Sequence, residues 1–158
     1  MKTRSLWTYL YLTTGLGLIV SIYAGLETLD PALRSSCTIS SYFSCSAVDA
    51  SGFTTTLGIP DAVIGIVGFI LILAVAQLTE RHKRDLRFFY GLLFFTTGGV
   101  AFASYFAAVE VTEIHALCPV CTTAYAFGIL VWVGAIALTF RTRRKIAARA
   151  EARSEPPA

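Results

Sequence analysis

Leu117-Cys118-Pro119-Val120-Cys121-Thr122-Thr123-Ala124-Tyr125 opens an uncharged run that continues to Phe140. Wound as a helix, such a run crosses a hydrocarbon core roughly 30 Å thick, for which about 17 to 25 apolar residues suffice. The Cys-x-x-Cys therefore stands at the mouth of a membrane-spanning segment and reads as a redox dithiol at a membrane surface. Two thiols on one first helical turn can close a disulfide, and the positive helix end favours the thiolate of the first, Cys118. From the tetrapeptide alone, a buried pair of small apolar residues or half of a zinc site reads equally well.

Working outward, three more stretches carry no charge: Trp7 to Leu26, Ala62 to Leu78 and Phe88 to Val109. The chain has 158 residues of which 55% are hydrophobic, and a mean hydropathy of +0.65. An ordinary soluble domain is excluded. The expected fold is an all-α membrane protein, a bundle of four transmembrane helices over residues 1–140 with a basic tail over 141–158, read as a frayed amphipathic or disordered end. The first run is too long for the core of a signal peptide, about 7 to 15 residues, so it is kept as a helix, with Trp7, Tyr9 and Tyr11 as an interfacial belt.

Basic residues in short flanks set orientation. Lys2 and Arg4 precede the first run; Arg81, Lys83, Arg84 and Arg87 fill the turn between the second and third; Arg141, Arg143, Arg144, Lys145, Arg149 and Arg153 follow the fourth. Only Arg34 is left for the other side, whose loops carry Glu27, Asp30, Asp49, Asp61, Glu110 and Glu113. Both termini are expected in the cytoplasm of a multi-pass protein of the plasma (inner) membrane. The net charge of +3 is a topology signal and not a nucleic-acid footprint.

All four cysteines, Cys37, Cys45, Cys118 and Cys121, then fall on the outer side, where disulfides persist. The long outer loop, residues 27–60, is poor in charge between Cys45 and Pro60, which suggests a short helix or re-entrant cap on the outer leaflet. Pro60 suits a helix start. In the third run Gly99, Ala103 and Ala107 form a small-residue stripe, read as helix packing, with a flat ligand against it as the other option.

The pair Cys37 and Cys45 lies in this loop, read as mobile. A structural disulfide there would close a short loop and add ~2 to 3 kcal/mol, little for a membrane bundle. As a carrier pair it makes better sense, since a loop thiol can meet a soluble protein and then the fixed pair at the helix mouth. A four-cysteine zinc site is the poorer reading, because seven residues between Cys37 and Cys45 is a loose ligand spacing and the compartment is oxidising. His115 reads as a solvated interfacial histidine in preference to a proton relay, and His82 carries no functional signal.

Taken together, Cys37-x7-Cys45 in the first outer loop, Ser51 six residues on, and Cys118-x-x-Cys121-x3-Tyr125 opening the last helix resemble the vitamin K epoxide reductase family, over residues 7–140. The DsbB family has a similar four-helix, quinone-linked design but places its CxxC in the first outer loop. Here that order is reversed.

The resemblance implies a four-helix bundle enclosing a quinone (menaquinone, ubiquinone or a relative) near the outer surface. It implies electron flow from an extracytoplasmic thioredoxin-like (DsbA-like) partner to the loop pair, then to the CxxC, then to the quinone. By position Cys37 would exchange with the partner, Cys45 would attack Cys118, and Cys121 would face the quinone ring. Ser51 matches the family's serine near the cap and Tyr125 its ring-contacting tyrosine. Asp61 falls where vertebrate members carry an asparagine that hydrogen-bonds the quinone oxygen, and an acid there departs from that pattern. Many bacterial members carry a fused thioredoxin domain that this sequence does not contain, so a separate partner is expected. The competing class is a structural tetraspan protein whose disulfides brace its outer loops.

Overall fold

The computed structural model describes residues 3–30, 32–33, 37–40, 42–51, 55–56, 59–83 and 85–154. Four long helices dominate: α1 (Thr3–Leu29), α3 (Asp61–Arg81), α4 (Leu86–Val109) and α5 (Pro119–Ser154), with a short α2 (Cys45–Ala50) in the loop between α1 and α3. Each long helix contains a stretch apolar enough to cross a membrane. A segment in lipid must satisfy its own backbone polar groups, which is why uninterrupted apolar runs become helices there.

The helices close into a ring: α5 packs on α1 and α4, α1 on α3, and α3 on α4. Their inner faces meet at the end that carries the termini, where Leu6, Trp7 and Leu10 interlock with Ile72, Ala76, Phe89, Leu92, Val131, Ala135 and Leu138. Lipid tails are as apolar as leucine, so this core holds by close packing more than by exclusion of water. Trp7 corrects the expected belt: it is 4% exposed and stacks on Tyr11, so it belongs to the core. Tyr9, half-buried, donates to the Leu130 carbonyl at 3.1 Å.

The turn from α3 to α4 is tied by the Thr79 hydroxyl, which donates to the carbonyls of Val75 (2.7 Å) and Phe88 (3.1 Å). Asp85 caps α4 by accepting the Arg87 N–H. At the far end of the chain α5 does not stop at Phe140 but runs to Ser154, so of the two expected forms of the tail the disordered one does not describe residues 141–154. Ala, Arg and Lys are strong helix formers, and extending an existing helix avoids the cost of nucleation. Residues 155–158 lie outside the described part.

The loop between α1 and α3 forms the expected short helix and adds a strand pair. Besides α2 it contains β1 (Thr55–Thr56) and β2 (Ile59–Pro60), antiparallel with Thr55 opposite Pro60 and Thr56 opposite Ile59. Pro60 stands at the N-cap position of α3 without a side-chain hydrogen bond, and Asp61 is that helix's first residue.

Candidate active site

Beyond Val109, α4 loosens into a π-helical turn, Glu110–Ile114, and His115 adopts a left-handed backbone at φ 56°. The N–H groups of His115 and Ala116 both donate to the Glu110 carbonyl, so the chain reverses sharply into Leu117. A backbone bridge then joins this corner to the loop between α1 and α3. The Leu117 N–H donates to the Tyr42 carbonyl at 2.7 Å, and the Ser44 N–H donates to the Leu117 carbonyl at 3.1 Å. One residue further along each chain stand Cys45 and Cys118.

That register brings the two cysteine pairs together. Cys37 and Cys45 are joined in a disulfide with their Cα atoms 5.7 Å apart, while Cys118 and Cys121 are free thiols. The Cys45 sulfur lies 3.3 Å from the Cys118 sulfur, and the sulfurs of Cys37, Cys45 and Cys118 lie within 4.8 Å of one another. Three thiol-bearing residues so placed could ligate a metal, but two of them are already bonded to each other. The loop is docked in this state: Ser44 caps α2 by accepting the Ala47 N–H, and Cys37, Cys45 and Cys118 are all buried beside Val48 and Ala116.

Cys118 stands just ahead of α5, where its sulfur accepts the Cys121 N–H at 3.2 Å and so acts as the helix cap. The Cys121 thiol, and then its N–H, hold the Cys118 thiol below the usual thiol range, against burial and the opposing charges of Glu110 and Glu27. A lowered thiol is the form that attacks or leaves readily in disulfide exchange.

Beneath this loop the four helices line a cavity of about 490 Å³. Its walls are largely apolar, from Phe94, Phe95, Phe102 and Phe106 of α4 and Phe69 of α3; its polar residues include Glu27, Asp61, Glu110, Cys121 and Tyr125. Cys45 and Cys118 also line it, and neither Cys37 nor Ser51 does. Asp61 and Tyr125 are thus brought to the cavity, whereas the Ser51 hydroxyl donates to the Val48 carbonyl at 2.6 Å and ends α2. His115 is exposed. Gly99 and Ala103 of the small-residue stripe line the cavity, and a Cβ at Gly99 would meet nothing within 4 Å. Here the stripe leaves room and does not seal a helix contact.

Sequence reasoning passed over Glu110, counted above only as an outer-side charge. It is 3% exposed; its Oε2 accepts the Cys118 N–H at 3.1 Å and its Oε1 accepts the Tyr125 hydroxyl at 3.0 Å. The available signal was position: an acid adjoining a 22-residue uncharged run ending at Val109 is costly at membrane depth and marks a site when it occurs.

The family model described as Vitamin K epoxide reductase family matches residues 8–136. The chain belongs to that family, whose members are membrane thiol–disulfide oxidoreductases.

Proposed function

We propose that this member of the vitamin K epoxide reductase family carries electrons from an extracytoplasmic thioredoxin-like (DsbA-like) protein, through Cys37–Cys45 and then Cys118–Cys121, to a quinone of the menaquinone or ubiquinone class. The result is net disulfide formation outside the cytoplasm. The observation that carries this reading is the 3.3 Å approach of the Cys45 and Cys118 sulfurs, made across 73 residues of sequence and held by the bridge at Leu117.

Each step follows from the chain's own thiols. A partner thiolate attacks Cys37 of the loop disulfide and Cys45 leaves as thiolate; the partner's second thiol then displaces Cys37, so the partner is oxidised and the loop pair reduced. The Cys45 thiolate next attacks Cys118 of an oxidised inner pair and releases Cys121. Cys37 attacks Cys45, re-forms the loop disulfide and releases Cys118. Disulfide in the loop with free thiols at Cys118 and Cys121 is the arrangement at the end of that exchange.

The cavity suits a flat, apolar ring with polar edges, since aromatic walls meet the carboxyl, hydroxyl and thiol groups of Asp61, Glu110, Tyr125 and Cys121. Asp61 and Tyr125 would hold such a ring beside Cys121. A bound quinone supplies an acceptor for two electrons and two protons, which matches one dithiol per turnover. Ser51 keeps a supporting role at the end of α2.

Orientation belongs to the same reading, with both termini cytoplasmic. It rests on the one-sided Lys and Arg distribution. A cysteine replacing the exposed Lys83 should resist a membrane-impermeant maleimide in intact cells, and efficient labelling would reverse the orientation. For the activity, the purified chain is mixed with a short-chain quinone and a reduced thioredoxin-like protein, and quinol formation is followed by absorbance. One quinol per partner disulfide is expected; quinol formation that does not depend on Cys118 and Cys121 would remove the proposal.

A further inference from the structure

Glu110 takes no part in the electron route above, yet both its oxygens are committed at the inner cysteine pair. One accepts the Cys118 N–H and the other the Tyr125 hydroxyl, at 3.1 and 3.0 Å, and the residue is 3% exposed. Among the described residues it forms no salt bridge with a cation. The first turn of α5 therefore serves two acceptors at once: the Cys118 N–H is directed to the carboxylate and the Cys121 N–H to the Cys118 sulfur. Two anions sharing one helix end repel, and their titrations are then properties of the pair.

We propose that Glu110 is a positioning residue of the inner cysteine pair: its carboxylate holds Cys118 and Tyr125 in register, and its charge alternates with that of Cys118, so that the two together carry one negative charge. The proposal rests on reading Cys118 and Cys121 as the inner redox pair. The two charge states have the same composition. Cys118 as thiol with Glu110 as carboxylate becomes Cys118 as thiolate with Glu110 as carboxylic acid; an S–H bond is lost, an O–H bond gained, and no proton leaves the site. A thiolate can thus form in a buried place without adding net charge to it, and its proton stays beside the cavity. The other ionisable groups facing this pair are Cys121 and Tyr125 on α5, Glu27 on α1 and Asp61 on α3. Cys37 and Cys45 do not titrate while joined.

Thiol titration tests it in the reduced, full-length C37S/C45S chain, which leaves only the inner pair, by following thiolate absorbance against pH without quinone. E110Q keeps the side chain's shape and removes its charge. The first thiol midpoint should fall by about one pH unit, giving about tenfold more thiolate below the midpoint, while E110D stays near the parent. Coincident E110Q and parent curves would overturn the proposal. Should E110Q not fold, infrared spectra of the chain that retains Glu110 decide the matter. As pH rises through the first midpoint of the pair, the S–H stretch and a carboxylic acid C=O band that persists in E27Q should fall together and only part way, because the pair then shares one proton; a carboxylic acid band lost completely before any S–H is lost overturns the proposal. Neither measurement contains quinone, so a shifted titration with failed quinol formation would count against the proposed electron acceptor and leave the role of Glu110 standing.

Discussion

At the end of the bundle that carries the termini, Leu10, Val131, Ala135 and Leu138 are fully buried and the helices touch along their whole inner faces. At the cysteine end the same four helices part around a cavity of about 490 Å³, and what is buried there includes Glu27, Glu110 and three cysteines. Closely packed apolar side chains give one unique, stiff arrangement. Polar groups in a cavity are tolerated only when something else holds the frame. The packed half supplies that frame, so the half that does chemistry can keep space, thiols and carboxylates in a membrane interior.

The division predicts that single changes will separate activity from stability. Replacing Cys121 with Ser should lower turnover by about a thousandfold or more, as loss of a covalent group does, with thermal unfolding nearly unchanged. Leu138→Ala should do the reverse. Its cavity should cost about 2 to 5 kcal/mol while turnover per folded molecule persists. Unfolding monitored by circular dichroism, set beside quinol formation, checks both, and a Leu138→Ala enzyme that folds well but turns over poorly would dissolve the distinction.

Next in size is the consequence of the bridge that docks the loop. In Cys37→Ala no loop thiol remains to resolve an attack by Cys45, so the mixed disulfide Cys45–Cys118 should accumulate and turnover with a protein partner should cease. After proteolytic cutting in the basic turn Arg81 to Arg87, the two halves should stay joined until reductant is added. A bond from Cys45 to Cys121, or no joined halves, would mean that the 3.3 Å approach of Cys45 to Cys118 is not the contact used.

The two ends also differed in how far they could be read from residues alone. All four helices were legible because lipid leaves an apolar segment few alternatives, and the cysteines because paired thiols at a helix mouth have few uses. Trp7 was misplaced since an aromatic near a span end suits belt and core equally, and only the packing against Tyr11 and Phe89 separates them. Glu110 escaped because its burial depends on the π-turn, which follows from no periodicity in the sequence. Gly99 read as a packing residue for a related reason: a small side chain permits close approach, and only the neighbouring helices determine whether the space is filled.

A smaller effect is expected at Tyr125. Tyr125→Phe keeps the ring in the cavity wall and removes the donor to Glu110 Oε1, leaving the carboxylate with the Cys118 N–H alone. A hydrogen bond to a charged group contributes about 1.5 to 3 kcal/mol, so turnover should fall by roughly tenfold. Unfolding should shift little, because the packed half does not depend on this contact. A Phe variant with parental turnover would place the Tyr125 hydroxyl outside the working site.

The finest probe compares two glycines with the same substitution. A Cβ at Gly17 would lie 2.5 Å from ring atoms of Phe69, itself part of the packed cluster. A Cβ at Gly99 would meet nothing within 4 Å. Alanine is the better helix former by up to about 1 kcal/mol, and this gain is available at both positions. At Gly17 it is outweighed, because the Phe69 ring, which belongs to the packed cluster and also forms part of the cavity wall, must leave its place, at a cost of about 1 to 3 kcal/mol. At Gly99 nothing opposes it. Gly17→Ala should therefore lower the unfolding temperature and Gly99→Ala should hold or slightly raise it, with the added methyl taking up space in the cavity and weakening the binding of a bulky quinone analogue by a few-fold. The same atom added on the two sides then reports opposite signs. Destabilisation of equal size at both would show that the cavity wall is packed as tightly as the core.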